Sequence, residues 1–153
     1  MSMVGDLNEH LGLELAAHVR YNGHAEIMRF KGYSKLADKY KEEAGEELGH
    51  ADKIIYRVQQ LEGMPDYQRV IDVAPAIKKW DIGAIIESDL EVEKQVLDSL
   101  AGIIEQAENE NDWETSTVLR DLVTDTEHHI TWLTTQADQL KELGKQNYLQ
   151  AMM

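Results

Sequence analysis

Residues 43–54 read Glu43-Ala44-Gly45-Glu46-Glu47-Leu48-Gly49-His50-Ala51-Asp52-Lys53-Ile54. Glu47 and His50 stand three apart, so on a helix both point to the same side. That side continues through Leu36, Tyr40 and Glu43 before them and Ile54 and Leu61 after them, in the steps of three and four that make one helical stripe. The stripe is apolar at its ends and ionisable in its middle. The spacing predicts a helix from about Lys35 to Leu61, stopped by Gly63 and Pro65, as a Gly and then a Pro commonly stop one.

The same pattern extends in both directions. Upstream, Leu7, Leu11, Glu14, His18, Tyr21, Ala25 and Met28 form a stripe on a helix from about Asp6 to Phe30, followed by a turn at Lys31-Gly32-Tyr33-Ser34. Downstream, residues 64–80 hold both prolines, Pro65 and Pro75. This connection is long for a helix–helix link, where roughly 2–8 residues is usual, and a crossover of that length lets the next helix run parallel to the one before it. A third helix is predicted from about Ile82 to Ala107 with the stripe Ile86, Leu90, Glu93, Leu97, Leu100 and Ile104. After the turn Asn109-Glu110-Asn111-Asp112, a fourth runs from about Trp113 to Leu143 with the stripe Leu119, Leu122, Thr126, His129, Leu133, Gln136 and Leu140. Gly144 ends it, and Gln146–Gln150 suits one short further helix. No strand pattern occurs. The expected fold is all-α, an up-down-down-up four-helix bundle with a long crossover between helices two and three and a short fifth helix, in a single domain over residues 1–153.

The bulk properties agree. With 153 residues, 42% hydrophobic and 29% charged, the chain suits one globular core. The absence of Cys excludes disulfides, thiolate zinc sites, iron–sulfur clusters and cysteine nucleophiles. A net charge of -14 repels nucleic-acid phosphate and anionic lipid and attracts cations. No apolar run approaches the roughly 20 residues of a membrane span. The stretch Met1 to Asp6 lacks the basic and apolar regions of a signal peptide, so the cytoplasm is the expected location.

Each helix interrupts its apolar stripe near mid-length: Glu14 on the first, Glu47 and His50 on the second, Glu93 on the third, His129 on the fourth. A buried carboxylate without a partner costs several kcal/mol, of order 3–5 when a charge pair is broken, so three in one core call for a compensating cation. Glu-x-x-His is the ligand unit of di-iron carboxylate bundles, where carboxylates bridge two cations and imidazoles cap them. Mixed oxygen and nitrogen donors suit iron, manganese or zinc. The remaining candidates have ordinary explanations. A single inward His is more often a hydrogen-bonded core residue than a ligand, which is the expectation for His18 and His24, while His128 lies off the stripe. Trp80, Trp113 and Trp132 are expected to pack. Tyr21, on the Glu14 face, is placed to hydrogen-bond a ligating carboxylate.

Several stretches, taken in order, resemble bacterioferritins over nearly the whole chain: Leu13-Glu14-Leu15-Ala16-Ala17 leading to Tyr21 and His24; Glu47-Leu48-Gly49-His50-Ala51-Asp52; Leu61-Glu62-Gly63-Met64-Pro65; Ser88-Asp89-Leu90-Glu91-Val92-Glu93; His129-Ile130-Thr131-Trp132-Leu133; and Gly144 to Gln150. The resemblance implies a ferritin-like fold and a hollow shell of 24 subunits built from two-fold dimers. It implies oxidation of Fe2+ by oxygen or hydrogen peroxide at a di-iron centre, and storage of ferric mineral in the cavity. It assigns Glu14 and His50 to one iron, Glu93 and His129 to the other, and Glu47 to both.

Two departures from the family pattern stand out. A second bridging Glu is expected three residues before His129, where this chain has Thr126, and a hydroxyl is a poor ligand beside a carboxylate. Glu127 is rotated about 100° away on a 3.6-residue helix, and Asp125 has a short side chain. Weaker or single-metal occupancy and slowed oxidation are expected. The family's haem-ligating Met follows the bridging Glu of helix two; here Leu48 stands there, so no haem held by paired Met is expected. Glu42 and Glu46, on the flank away from the stripe, would face the cavity of a shell, or simply water. One alternative function is a ferroxidase-impaired, mineral-nucleating subunit of a shell shared with a second bacterioferritin chain. Two others fit less well. A DNA-protecting mini-ferritin is disfavoured by the charge and the absence of a basic tail, and such shells place their metal site between subunits. A rubrerythrin-type peroxidase usually carries a Cys-rich module.

Overall fold

A computed structural model describes residues 2–153; of the N-terminal stretch read above, only Met1 lies outside it. Five helices follow in order: α1 (Met3–Phe30), α2 (Ser34–Gln60), α3 (Ile82–Asn109), α4 (Trp113–Leu143) and α5 (Lys145–Ala151). No strand occurs among the described residues.

Local chemistry sets the ends. The side chains of Ser2, Asp81 and Asp112 accept hydrogen bonds from the backbone N–H groups of Gly5, Ala84 and Thr115, satisfying donors that the first turn of a helix leaves free. At the end of α1, Gly32 takes φ 91 while the Tyr33 N–H returns to the Met28 carbonyl at 3.0 Å. This left-handed closure suits a residue without Cβ.

The chain directions follow from who shares a core. One apolar cluster joins the late part of α1 (Ala17, Tyr21, Ala25, Met28), the early part of α2 (Leu36, Ala37, Tyr40, Ala44), the early part of α3 (Ile82, Ile85, Ile86, Val92), Leu133 of α4, and Tyr148 and Leu149 of α5. The other joins the early part of α1 (Met3, Leu7, Leu11), the late parts of α2 (Ile54, Val58) and α3 (Val96, Leu100, Ile103), and the early part of α4 (Leu119, Leu122). Helices α1 and α4 therefore run one way and α2 and α3 the other, which is the up-down-down-up order. The polar residues described below lie between the two clusters.

The stripe expected for α3 is corrected at its edge. Leu90, Leu97 and Ile104 are only half-buried, whereas Ile85, Asp89, Val92, Val96 and Ile103 are buried. The helix packs on α1 as well as α4, so its buried face is broader than one ridge and is centred nearer Asp89.

The crossover is strapped to α1. The Ile71 N–H donates to the Gly12 carbonyl at 3.4 Å, Arg20 Nη1 donates to the carbonyls of Ala74 and Pro75, and Asn8 exchanges hydrogen bonds with Met64 and Asp66. Trp80 stacks on Tyr33 with centroids 5.7 Å apart.

Candidate metal centre

All five expected residues converge at mid-bundle. Glu14 (α1), Glu47 and His50 (α2) form one group whose ligand atoms lie within 4.8 Å of one another, and Glu47, Glu93 (α3) and His129 (α4) form a second. Glu47 belongs to both. His50 Nδ1 lies 3.5 Å from Glu14 Oε2 and 3.7 Å from Glu47 Oε2. His129 Nδ1 lies 2.9 Å from Glu93 Oε1 and 3.7 Å from Glu47 Oε1.

These groups are closed from water yet incompletely bonded. Glu14 and Glu93 have 0% exposure and Glu47 has 1%. Glu14 Oε2, Glu47 Oε2, Glu93 Oε2, His50 Nδ1 and both ring nitrogens of His129 are buried without a hydrogen-bond partner. Among the described residues, every other buried side-chain atom in that condition belongs to the adjacent Glu43 or is the Tyr40 hydroxyl. Buried polar atoms in folded chains are nearly always satisfied, so orphans concentrated in one cluster, all of metal-ligating type, fit a pair of cations between them.

The electrostatics are those of buried carboxylates and imidazoles that share protons. Burial opposes charging His50, but Glu14 and Glu47 overcome it and lift its pKa to about 11. His129 is lifted to about 10, again against burial, by Glu47, Glu93 and Glu43. Burial and the Glu47 charge push Glu93 up to about 7. Burial and Glu14 raise Glu47. Burial also acts to raise Glu14, but hydrogen bonds with Glu47, His10 and His50 outweigh it and hold Glu14 at about 2.

A ring of further side chains holds the cluster. The Tyr21 hydroxyl donates to Glu93 Oε1 at 2.6 Å, the arrangement its position on the Glu14 face suggested; burial and neighbouring carboxylates keep its pKa well above 10.0. His50 Nε2 lies 3.0 Å from Asp125 Oδ2, so Asp125 reaches farther than its short side chain promised and orients the imidazole from behind. Thr126 is buried, but its hydroxyl donates to the Leu122 carbonyl at 2.8 Å, back onto its own helix. Glu127 is exposed.

His10 and Asp89 carry no signal in the apolar stripes, yet both support the cluster. His10 is fully buried, with Nε2 2.8 Å from Glu14 Oε1 and Nδ1 2.8 Å from Ser99 Oγ; a carboxylate only accepts, so Nε2 carries the proton. Asp89 is fully buried, bonded to Arg20 Nε and to His24 Nδ1, each at 2.7 Å. Each stands four residues before a carboxylate of the cluster, Glu14 or Glu93, a spacing that was there to be read. The ordinary explanations fit the other histidines: His24 is satisfied by Asp89, His18 Nδ1 lies 2.7 Å from the Ala44 carbonyl, and His128 is exposed. Trp132 packs against the His129 and Tyr40 rings, while Trp113 is 60% exposed and does not pack as expected; it opens α4 at the surface.

Comparison with known proteins agrees with this architecture. The ferritin-like domain family matches residues 4–143. The bacterioferritin of Streptomyces coelicolor is 34% identical over 147 residues, covering 96% of this chain and 86% of that protein. The bacterioferritin of Brucella melitensis is 35% identical over 142 residues, covering 93% and 86%, and that of Mycolicibacterium paratuberculosis is 33% identical over 146, covering 93% and 87%. With the family matching residues 4–143 and relatives aligned along nearly all of the chain, it belongs to the bacterioferritins, within the ferritin-like superfamily.

Proposed function

We propose that the chain is a subunit of an iron-storage shell and that it oxidises Fe2+ to Fe3+ at the centre described above. The observation that carries this reading is Glu47, shared by two carboxylate–histidine groups as a bridging ligand is in a two-metal site. Glu14 and His50 bind one iron, Glu93 and His129 the other. Bound there, Fe2+ is the substrate, and oxygen or hydrogen peroxide takes up its electrons. The protein holds the ligands in place: His10 fixes Glu14, Tyr21 fixes Glu93, and Asp125 fixes His50 through Nε2.

Family membership supports a homo-oligomer of 24 subunits built from two-fold dimers. So do apolar side chains left exposed on α1 and α2, among them Val19, Ile27, Phe30 and Tyr56; subunit contacts commonly cover such surface. Leu48 is also exposed, on the outside of α2, and its aliphatic side chain offers iron no ligand, so the shell carries no haem held by paired Met. The reading places the protein in the cytoplasm, and no described helix is long and apolar enough to cross a membrane. The charge of -14 disfavours nucleic acid as a partner.

Thr126 favours a second reading. Its hydroxyl is engaged with Leu122, leaving α4 without a bridging carboxylate, as in a storage subunit that relies on a second bacterioferritin chain for oxidation. Anaerobic Fe2+ titration followed by stopped-flow mixing with oxygen separates the two. Two irons per subunit with oxidation above the buffer rate is the result the first reading requires. One iron or fewer, oxidised no faster than in buffer, assigns the chain to the second reading.

A further inference from the structure

Three carboxylates, Glu14, Glu47 and Glu93, carry one negative charge fewer than two divalent cations require if both imidazoles are neutral. The α4 position that would add the fourth is Thr126, and its hydroxyl faces Leu122. A fourth carboxylate nevertheless reaches His129. Glu43 stands one turn before Glu47 on α2 and is only 4% exposed. Its Oε1 is 3.2 Å from Lys39 Nζ at the surface. Its Oε2 turns inward, buried and without a hydrogen-bond partner, 3.4 Å from His129 Nδ1. That nitrogen is the atom that also faces Glu93 at 2.9 Å and Glu47 at 3.7 Å.

A carboxylate paired only with a surface lysine would keep both oxygens near water. Glu43 instead leaves one oxygen desolvated beside the ring nitrogen of a proposed ligand, where two donors of one cation sit side by side. We infer that Glu43 is a ligand of the cation held by Glu47, Glu93 and His129, supplying from α2 the charge that Thr126 does not supply from α4. Four carboxylates then balance two divalent cations. The inference rests on the two-cation reading of the centre, and its test separates the two claims.

The test is anaerobic titration with Co2+ alone, read by bound ions per subunit and by the visible spectrum of the bound ion, with no turnover required. The wild-type chain is expected to bind two. Glu43→Gln, nearly isosteric, keeps the ion of Glu14, Glu47 and His50 and binds the other at least about tenfold more weakly. That is the lower end of what loss of even an outer partner of a metal ligand costs. Adding Thr126→Glu to that variant restores the weakened ion. Glu43→Asp, which keeps the charge but shortens the reach, gives an intermediate loss and serves if the Gln variant does not fold. Glu43→Gln, or failing it Glu43→Asp, binding both ions with wild-type affinity and spectrum overturns the role of Glu43 while leaving the two-cation centre standing. A wild-type chain that binds fewer than two Co2+, or is matched by Glu93→Gln, overturns the two-cation reading and the role of Glu43 with it.

Discussion

His50 and His129 are held protonated by the carboxylates around them, their pKa values lifted from 6.5 to about 11 and about 10. A cation binds the neutral imidazole, so it must first displace those protons. Loading both sites at neutral pH is expected to release about two protons per subunit from the histidines, with more from Glu93, whose pKa of about 7 leaves it partly protonated. A pH-stat recording during anaerobic Zn2+ addition measures this directly, and binding without proton release would contradict the protonated cluster. The sign follows for affinity: it rises with pH until the histidines deprotonate at about 10 to 11, because each displaced proton becomes easier to lose. For the metal-free fold the sign is reversed. Histidines with raised pKa stabilise it fully below pH 6.5, and that contribution is lost as pH climbs through about 10 to 11.

At the scale of an element, the crossover depends on one small residue. A Cβ built on Gly12 would stand 2.6 Å from the Arg69 carbonyl oxygen and 2.8 Å from Ile71 Cγ1. Helix propensity alone would favour Ala there by up to about 1 kcal/mol. Here the nearest atom is backbone, which cannot swing aside, and overpacking of that kind costs about 1–3 kcal/mol. Gly12→Ala is therefore expected to be net destabilising and to lift the strap. Limited proteolysis within residues 66–80 should accelerate while the helical circular dichroism is retained. A variant as protected as the wild type would mean that the strap is held chiefly by Arg20 and Asn8, whose hydrogen bonds to the crossover lie elsewhere.

Across the whole molecule, two apolar clusters are separated by a belt of buried carboxylates and imidazoles. That belt is the least favourable layer of the bundle without cations, since its charges are desolvated and several of its atoms unpaired. A ligand that binds only the folded state stabilises it by about 2.7 kcal/mol at a hundredfold excess over Kd. For a domain of this size that corresponds to a rise in Tm of roughly 5–10 °C. Scanning calorimetry with Co2+ and with chelator is expected to show such a difference, and coincident melts would argue that the belt does not bind cations.

The helices were legible in the sequence because periodicity is a short-range property. Leu7 to Met28, or Leu36 to Leu61, declares its inward side without reference to any other helix. The ends at Asp81, Asp112, Gly32 and Gly144 are set by bonds spanning a few residues. The convergence of Glu14, Glu47, His50, Glu93 and His129 could be anticipated because each sits near the middle of its own stripe. What a stripe cannot state is how far each helix is rotated about its axis and which atom of a side chain meets which neighbour. Only packing decided that Asp125 reaches His50, that His10 joins Ser99 of α3 to Glu14 of α1, and that Asp89 is the hub for Arg20 and His24. Packing also decided that Thr126 turns to its own backbone while Glu43, an unremarked member of the α2 stripe, points an unpartnered oxygen at His129. Those contacts join residues up to 89 apart in sequence, and their energy depends on angstrom-scale distances that exist only once all four helices are in place.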